Sequence, residues 1–287
     1  MQILTIQQKE NTTGIFFAML WASAAIAMKI GLNSSSPLTL AVIRFLIAGL
    51  LMVTVLQIFS SEKLPTKSEW VKITIFGLLN ITIYLGCLFA AIEFVSAGLM
   101  NLFISINPIL IILFSVLFLK RKVSKYEIIG FLVCFGGLLI ATIPILKESK
   151  ASLIGIILLI IGMSSYSIGS VYYKKIDLKL SNKSINGWQT LIGGIFLIPV
   201  AYLMNTKAII LDSNFYVSLF WLTIVISVFA TLLWLNLLKK DTVKASKWLF
   251  LAPVFGYLLS YLILGEEITL YEVIGTLFVI IGLKISK

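Results

Sequence analysis

The sequence predicts an all-α polytopic membrane protein, with ten transmembrane helices laid down as two inverted five-helix repeats. Three observations predict it. The chain of 287 residues is 60% hydrophobic and 12% charged, with a mean hydropathy of +1.06. A soluble domain has about 45–50% apolar and roughly 25% charged residues. The stretch from Pro108 to Ile140 recurs, without a gap, from Pro253 to Ile285. Lys and Arg fall overwhelmingly in alternate loops, as the positive-inside rule requires.

The repeat carries the most information. A constant shift of 145 residues pairs Pro108 with Pro253, Ser115 with Ser260, Tyr126-Glu127 with Tyr271-Glu272, Gly130 with Gly275 and Gly137 with Gly282. Each copy is an apolar run, a charged turn and a second apolar run, which reads as a helical hairpin in a membrane. The turns differ in sign: Lys120-Arg121-Lys122 in the first, Gly265-Glu266-Glu267 in the second. Basic loops stay cytoplasmic, so the two hairpins point opposite ways. The shift extends upstream, where Val42-Ile43-Arg44 falls on Gly187-Trp188-Gln189. Inverted repeats of this kind build secondary transporters.

In order, residues 1–13 are polar and expected to be a short cytoplasmic arm. Apolar runs follow at 14–30, 38–59, 71–91, 97–119 and 127–146, then at 153–173, 185–204, 215–238, 243–264 and 271–285. Each is near the ~20 residues that span a bilayer, the last being short. Lys147-Glu148-Ser149-Lys150 divides them into a first repeat at 14–146 and a second at 151–287. Five is odd, so the second repeat must enter from the other side. Ala22-Ser23-Ala24 also fits a signal-peptidase site, but a cut there would leave the first repeat a helix short. With both termini inside, the cytoplasmic segments hold eighteen Lys and Arg residues and the outer ones four, with Arg44 inside a helix. The expected location is the cytoplasmic (inner) membrane.

The absences narrow the function. The net charge of +11 sits in short loops and not on one contiguous face, which excludes a nucleic-acid partner. There is no His and no phosphate-binding G-x-x-x-x-G-K-[ST] sequence. Cys87 and Cys134 both lie within apolar runs, so neither a disulfide framework nor a metal site is expected. Gly162-Met163-Ser164-Ser165 looks like a serine nucleophile turn, yet its chemistry lacks a base. An enzyme and a cofactor are therefore not expected. Energy for transport would come from a gradient, from exchange or from the substrate itself.

The first half carries Trp21-Ala22-Ser23, Pro37 with Arg44, Asn107-Pro108, and Tyr126-Glu127 with Gly130 and Gly137. The second half adds Trp188-Gln189, Ala252-Pro253, Leu264-Gly265-Glu266, and Gly275 with Gly282. Together these features resemble the drug/metabolite transporter superfamily, specifically its EamA-type ten-helix branch. The resemblance covers nearly the whole chain and implies export, less often uptake, of amino acids, metabolites or small lipophilic compounds. One place departs from the pattern: Leu119-Lys120-Arg121 stands where relatives often have Leu-Gly-Glu.

The candidate substrate-binding residues are Arg44, Tyr84, Trp188, Gln189, Trp234, Trp21, Asn80, Ser164 and Tyr166. A guanidinium within a membrane helix costs about 2.5 kcal/mol or more unless paired or wet. Arg44 therefore either lines the pathway and holds a substrate carboxylate, or it snorkels outward or pairs with Glu93. Glu93 is also the candidate proton carrier. Asn80 and Tyr84 share a helix face. Tyr84, Trp188 and Trp234 lie several residues inside their runs, too deep for an interfacial belt. Pro108 and Pro253 are expected to bend their helices as a matched pair of hinges. Gly14, Ala18 and Ala22 could pack within the protein or between copies. The expected function is a secondary transporter, most simply an exporter of small metabolites such as amino acids, working by alternating access. A proton or counter-substrate would be its coupling partner. The alternatives are an exporter of lipophilic drugs or cations, and a channel, which needs no fixed filter sequence.

Overall fold

The computed structural model describes residues 6–60, 62–91, 94–146, 152–204 and 207–286. Among them the chain forms ten helices, nine of them long and apolar enough to cross a membrane and the tenth, α10, of 16 residues. They are α1 Ile6–Gly31, α2 Pro37–Phe59, α3 Lys67–Ala91, α4 in two pieces, Ala97–Ile104 and Asn107–Leu119, and α5 Lys125–Leu146. The second half has α6 Leu153–Lys175, α7 Asn182–Leu203, α8 Ser213–Lys240, α9 Thr242–Leu264 and α10 Leu270–Ile285. The division at Lys147–Lys150 lies outside the described residues. The arm expected before residue 14 is helical from Ile6 onward, because nothing between Gln7 and Thr13 breaks a helix and α1 already fixes the turns above it.

Capping residues set the helix ends. Ser36, Ser152, Ser181 and Asp212 each accept a hydrogen bond from a backbone N–H in the first turn. Thr66 with Glu69 and Thr269 with Glu272 form capping boxes at α3 and α10. The large apolar side chains left exposed, such as Leu50, Ile58, Leu117 and Leu262, lie on faces that meet lipid.

The loops sort to two ends of the bundle. At one end Ile210 donates to the Ser34 carbonyl at 2.8 Å, Ser152 to the Phe94 carbonyl at 3.0 Å, and Lys29 pairs with Glu266. At the other, the Lys179 N–H reaches Glu69 at 2.8 Å, Arg121 reaches Asp241 at 2.9 Å and Lys240 reaches Glu10 at 3.1 Å. Every one of these contacts joins loops that ten alternating spans put on the same side. The second end is the basic one.

Two antiparallel seams hold the repeats together, and both obey the same two-fold. In the first, α5 crosses α10. A Cβ on Gly130 would lie 2.5 Å from the Gly282 carbonyl oxygen, and one on Gly275 would lie 2.5 Å from that of Gly137. Exchanging each residue for its mate 145 positions away turns one contact into the other. Between them the Cys134 thiol donates to the Val279 carbonyl at 3.4 Å, and these two residues are each other's mates. The axis therefore passes through that contact. In the second seam α2 crosses α7: Gly49 lies on Leu191, and Gly194 lies on Phe45 and Leu46. Glycine lets membrane helices approach backbone to backbone, which is where packing energy comes from when lipid supplies no hydrophobic drive.

The third helix of each repeat is wound wide. Leu78–Ile83 in α3 and Trp221–Ala230 in α8 are π-helical, and the 145-residue shift places the first inside the second. The fourth helices are interrupted at matched places. In α4 the break at 105–106 leaves Pro108 in the first turn of a new segment, and in α9 the 3₁₀ turn Lys247–Phe250 precedes Pro253. At α4 the structure thus differs from the expected bend in a continuous helix. A proline in a first turn removes no helical hydrogen bond, so the break takes up what a kink would have cost. The helices then end alike. Lys120 and Gly265 are mates, both left-handed at φ 53° and 69°, and their N–H groups reach the carbonyls of Ser115 and Ser260, mates in turn.

The α5–α10 seam predicts a sharp contrast between two glycines. Gly282→Leu drives a side chain into the Gly130 carbonyl, and loss of about 1–3 kcal/mol or more is expected. Gly136→Ala meets nothing within 4 Å, so its thermal unfolding in detergent should match the parent. Equal melting of the two variants would dismiss the seam.

Candidate functional site

Between the seams, side chains from α1, α2, α3, α6, α7 and α8 converge. The scaffold is a chain of rings. Tyr84 lies 4.8 Å from Tyr166, Tyr166 6.4 Å from Trp234, Trp234 5.1 Å from Phe17, and Phe17 5.5 Å from Trp21, all between centroids. Three of these, Tyr166, Trp234 and Phe17, are almost fully buried. Tyr84 and Trp21 are partly accessible and end the array.

A polar strip runs beside the rings. Asn186, wholly buried, donates to the Ser227 carbonyl at 2.8 Å and accepts from Gln189 at 3.2 Å. Asn80 then donates to Gln189 at 3.3 Å. The π-helical segments make this possible. A π turn offsets carbonyls from the α register, and such turns are frequent at functional sites. Ser227 and Asn80 both sit in them. Further along, Thr82 donates to the Gly193 carbonyl at 2.9 Å and Ser165 to that of Leu79 at 2.7 Å.

Arg44 lies about two turns into α2 from the less basic end. Its guanidinium stands 4.3 Å from the centre of the Phe45 ring and is close enough to Tyr84 to interact electrostatically. Among the described residues no carboxylate pairs with it. Glu93, expected as a pairing partner or proton carrier, lies outside those residues. Asn80 and Tyr84 on α3 connect the two halves of the site: Asn80 reaches Gln189, and Tyr84 faces Arg44. Since Arg44 and Gln189 are repeat mates, the same structural position carries a cation in one half and a neutral amide in the other.

Five buried side-chain atoms have no hydrogen-bond partner among the described residues: Arg44 Nε, Asn80 Oδ1, Tyr166 Oη, Trp234 Nε1 and Thr223 Oγ1. Four of the five belong to the candidate residues named from sequence. An unpaired buried polar atom costs about 1–3 kcal/mol, so this concentration is the costliest polar feature of the described interior. Together the four atoms offer a cation, two donors and an acceptor beside flat apolar faces.

The remaining candidates are placed differently. Trp188 turns to Trp70, edge to face at 4.7 Å, on the basic side of Gln189. Ser164 is partly accessible on α6. Gly14, Ala18 and Ala22 are buried within the bundle, Gly14 directly beneath the Trp248 ring. Asn186 and Phe17 were not singled out from sequence. Asn186 precedes Gln189 by three residues, the spacing that puts two side chains on one face, and could have been found that way. Phe17 gave no signal beyond its apolar run.

At the basic end an ion cluster spans the repeats. Arg121 grips Glu127 with two hydrogen bonds of 2.7 and 2.8 Å and reaches Asp241 at 2.9 Å. Asp241 in turn caps the start of α9 through the N–H groups of Val243 and Lys244. Burial would raise the Asp241 carboxyl, but the Lys244 N–H and the Arg121 guanidinium outweigh it and hold it below the usual value. The Arg121 guanidinium is held above its usual range, chiefly by its hydrogen bonds to Glu127. Lys120-Arg121 is thus tied across to the other half.

Comparison with known proteins places this architecture. The model of the EamA-like transporter family matches twice, over residues 9–143 and 153–286. An uncharacterized transporter of Archaeoglobus fulgidus is 25% identical over 93% of both chains. The uncharacterized transporter YvbV of Bacillus subtilis is 27% identical over 92% of this chain and 87% of its own. A protein crystal structure superposes with a TM-score of 0.83 at 18% identity, over 97% of this chain and 96% of that one, which speaks to fold alone.

Two outcomes test this geometry. Tyr166→Phe deletes an unpartnered hydroxyl and should melt at or above the parent temperature. Asn186→Ala strips several hydrogen bonds from the strip and should lose about 1–3 kcal/mol. The ion cluster adds a pH test. A depressed carboxyl contributes stability above its unfolded pKa of about 3.9 and loses it as pH falls through the lower folded value. Thermal stability of the parent should therefore fall as pH drops below about 4, and Asp241→Asn should flatten that decline.

Proposed function

Because the chain belongs to the EamA-like transporter family, we propose that it is a secondary transporter exporting small metabolites such as amino acids, by alternating access between its inverted repeats. The observation that carries this reading is the gathering of unpartnered buried polar atoms on Arg44, Asn80, Tyr166 and Trp234. An amino acid answers them in kind. Its carboxylate meets the Arg44 guanidinium, its amine meets an acceptor such as Asn80 Oδ1, and its side chain lies against Tyr84 and Tyr166. Charge-assisted hydrogen bonds of this sort are about twice as strong as neutral ones.

The basic end, with Lys72, Arg121, Lys174 and Lys240, is assigned to the cytoplasm on the positive-inside rule, with both chain termini and an inner-membrane location following from it. Glu93 and a counter-substrate stand as the coupling candidates. A lipophilic cation suits the aromatic array, but Arg44 would repel it, which ranks that reading second. Matched interruptions before Pro108 and Pro253 give the fourth helices places to flex as the repeats rock.

The test is flux of a mixed amino-acid pool in proteoliposomes, parent beside Arg44→Ala and Arg44→Lys. Losing a charged hydrogen bond of roughly 1.5–3 kcal/mol should raise the half-saturation concentration of a carboxylated solute about tenfold or more. Lys should restore part of it. Unchanged flux in Arg44→Ala would make Arg44 structural. Flux that never saturates would point to a channel.

A further inference from the structure

At the basic end, two cavities adjoin, one between α1, α8 and α9 and the other between α1, α9 and α10. The first, of about 240 Å³, is polar and charged, with Lys240, Lys244 and Lys247 around Trp248. The second, of about 220 Å³, is nearly all apolar, formed by Ile15, Leu251, Ile280 and Leu283 with Lys284 at its rim. Asn11, Lys247 and Trp248 line both, so the two form one composite groove. Trp248 can stand as the wall between them because Gly14 has no side chain in its way. The ammonium of Lys247 lies 4.8 Å from the Trp248 ring centre.

Two lysines at the mouth face outward. The two acidic residues of the polar cavity are already matched, Glu10 with Lys240 at 3.1 Å and Asp241 with Arg121 at 2.9 Å. Lys244 and Lys284, both exposed, add a positive field at the mouth. The depth also fits. The span of α1 begins at Glu10, that of α9 at Thr242, and α10 ends at Ile285, so the polar cavity sits at the level of lipid headgroups. The apolar cavity lies toward the hydrocarbon, with Ile15 and Ile280 open to it. Each cavity alone is below the usual 300–1,000 Å³ of a small-ligand site, and the joined groove is within it.

We propose that this groove is a binding site for an anionic phospholipid of the leaflet on the basic side. The phosphate sits between Lys244 and Lys284, and the start of one acyl chain lies along Ile15, Ile280 and Leu283. Basic pockets between membrane helices recognise acidic headgroups in this way. A zwitterionic lipid lacks the net charge, and a soluble anion leaves the apolar half unfilled.

The test uses the full chain in a neutral detergent, titrated with phosphatidylglycerol or phosphatidylcholine in mixed micelles, or with glycerophosphate. Thermal unfolding and native mass spectrometry are read together. Phosphatidylglycerol should raise the melting temperature and remain bound; phosphatidylcholine should do neither. K244Q/K284Q alters exposed positions only and should melt like the parent without lipid. Its affinity for phosphatidylglycerol should drop about fivefold per lysine removed. A control, K63Q/K125Q, takes two charges from the same face outside the groove and should leave affinity unchanged. Equal loss in the control would reduce the effect to general surface charge and overturn the proposal. So would an undiminished affinity in K244Q/K284Q, or an equal shift with glycerophosphate.

Discussion

The close approach of α5 and α10 is the contact on which the rest of the structure depends. Lipid tails are as apolar as leucine, so burial of apolar surface cannot pull membrane helices together. What remains is shape, and Gly130, Gly137, Gly275 and Gly282 supply it by letting each backbone touch the other's carbonyls. Because the four are two pairs of repeat mates, the contact is its own image under the two-fold. The α2–α7 seam repeats the same solution with Gly49 and Gly194. Two self-symmetric seams fix where the halves meet, and the space between them is where Arg44, Tyr84, Tyr166 and Trp234 come together.

Symmetry of backbone is combined with asymmetry of charge. The pairs Arg44 and Gln189, Arg121 and Glu266, and Lys120 and Gly265 occupy matching positions with different chemistry. A left-handed residue is costly for anything but glycine, yet Lys120 adopts φ 53°. Its neighbour Arg121 then reaches Glu127 and Asp241, bonds that hold the turn in place. Glu266, the mate of Arg121, pairs instead with Lys29 at the opposite end. Each end thus has its own ionic tie between the repeats, built from different residues at one equivalent site.

Much of the fold was legible because membrane chemistry writes in long runs. Span positions follow from hydropathy, the inversion from five helices per repeat, and the seams from glycines that recur at a fixed shift. The site was partly legible for a related reason: a polar or aromatic residue deep in an apolar run must have a use, and that singled out Arg44, Asn80, Tyr84, Tyr166 and Trp234. What stayed hidden depends on three-dimensional company. The π turns at Leu78–Ile83 and Trp221–Ala230 have ordinary apolar composition. The interruption at 105–106 looks like continuous helix, since Ser105 and Ile106 break nothing by themselves. Arg121 and Asp241 are 120 residues apart, and only the folded chain makes them neighbours.

The wide turns of α3 and α8 have a mechanical consequence. In lipid a helix cannot bend by breaking backbone hydrogen bonds, because no water is there to replace them. A π turn meets that restriction in another way. It holds one surplus residue per turn, and the surplus can pass to the next turn by each N–H changing to a neighbouring acceptor. As it passes, the turns it crosses rotate by about 100° around the helix axis, while every peptide group stays bonded. The third helix of each repeat therefore holds its surplus residues where Asn80 and Ser227 touch the polar strip.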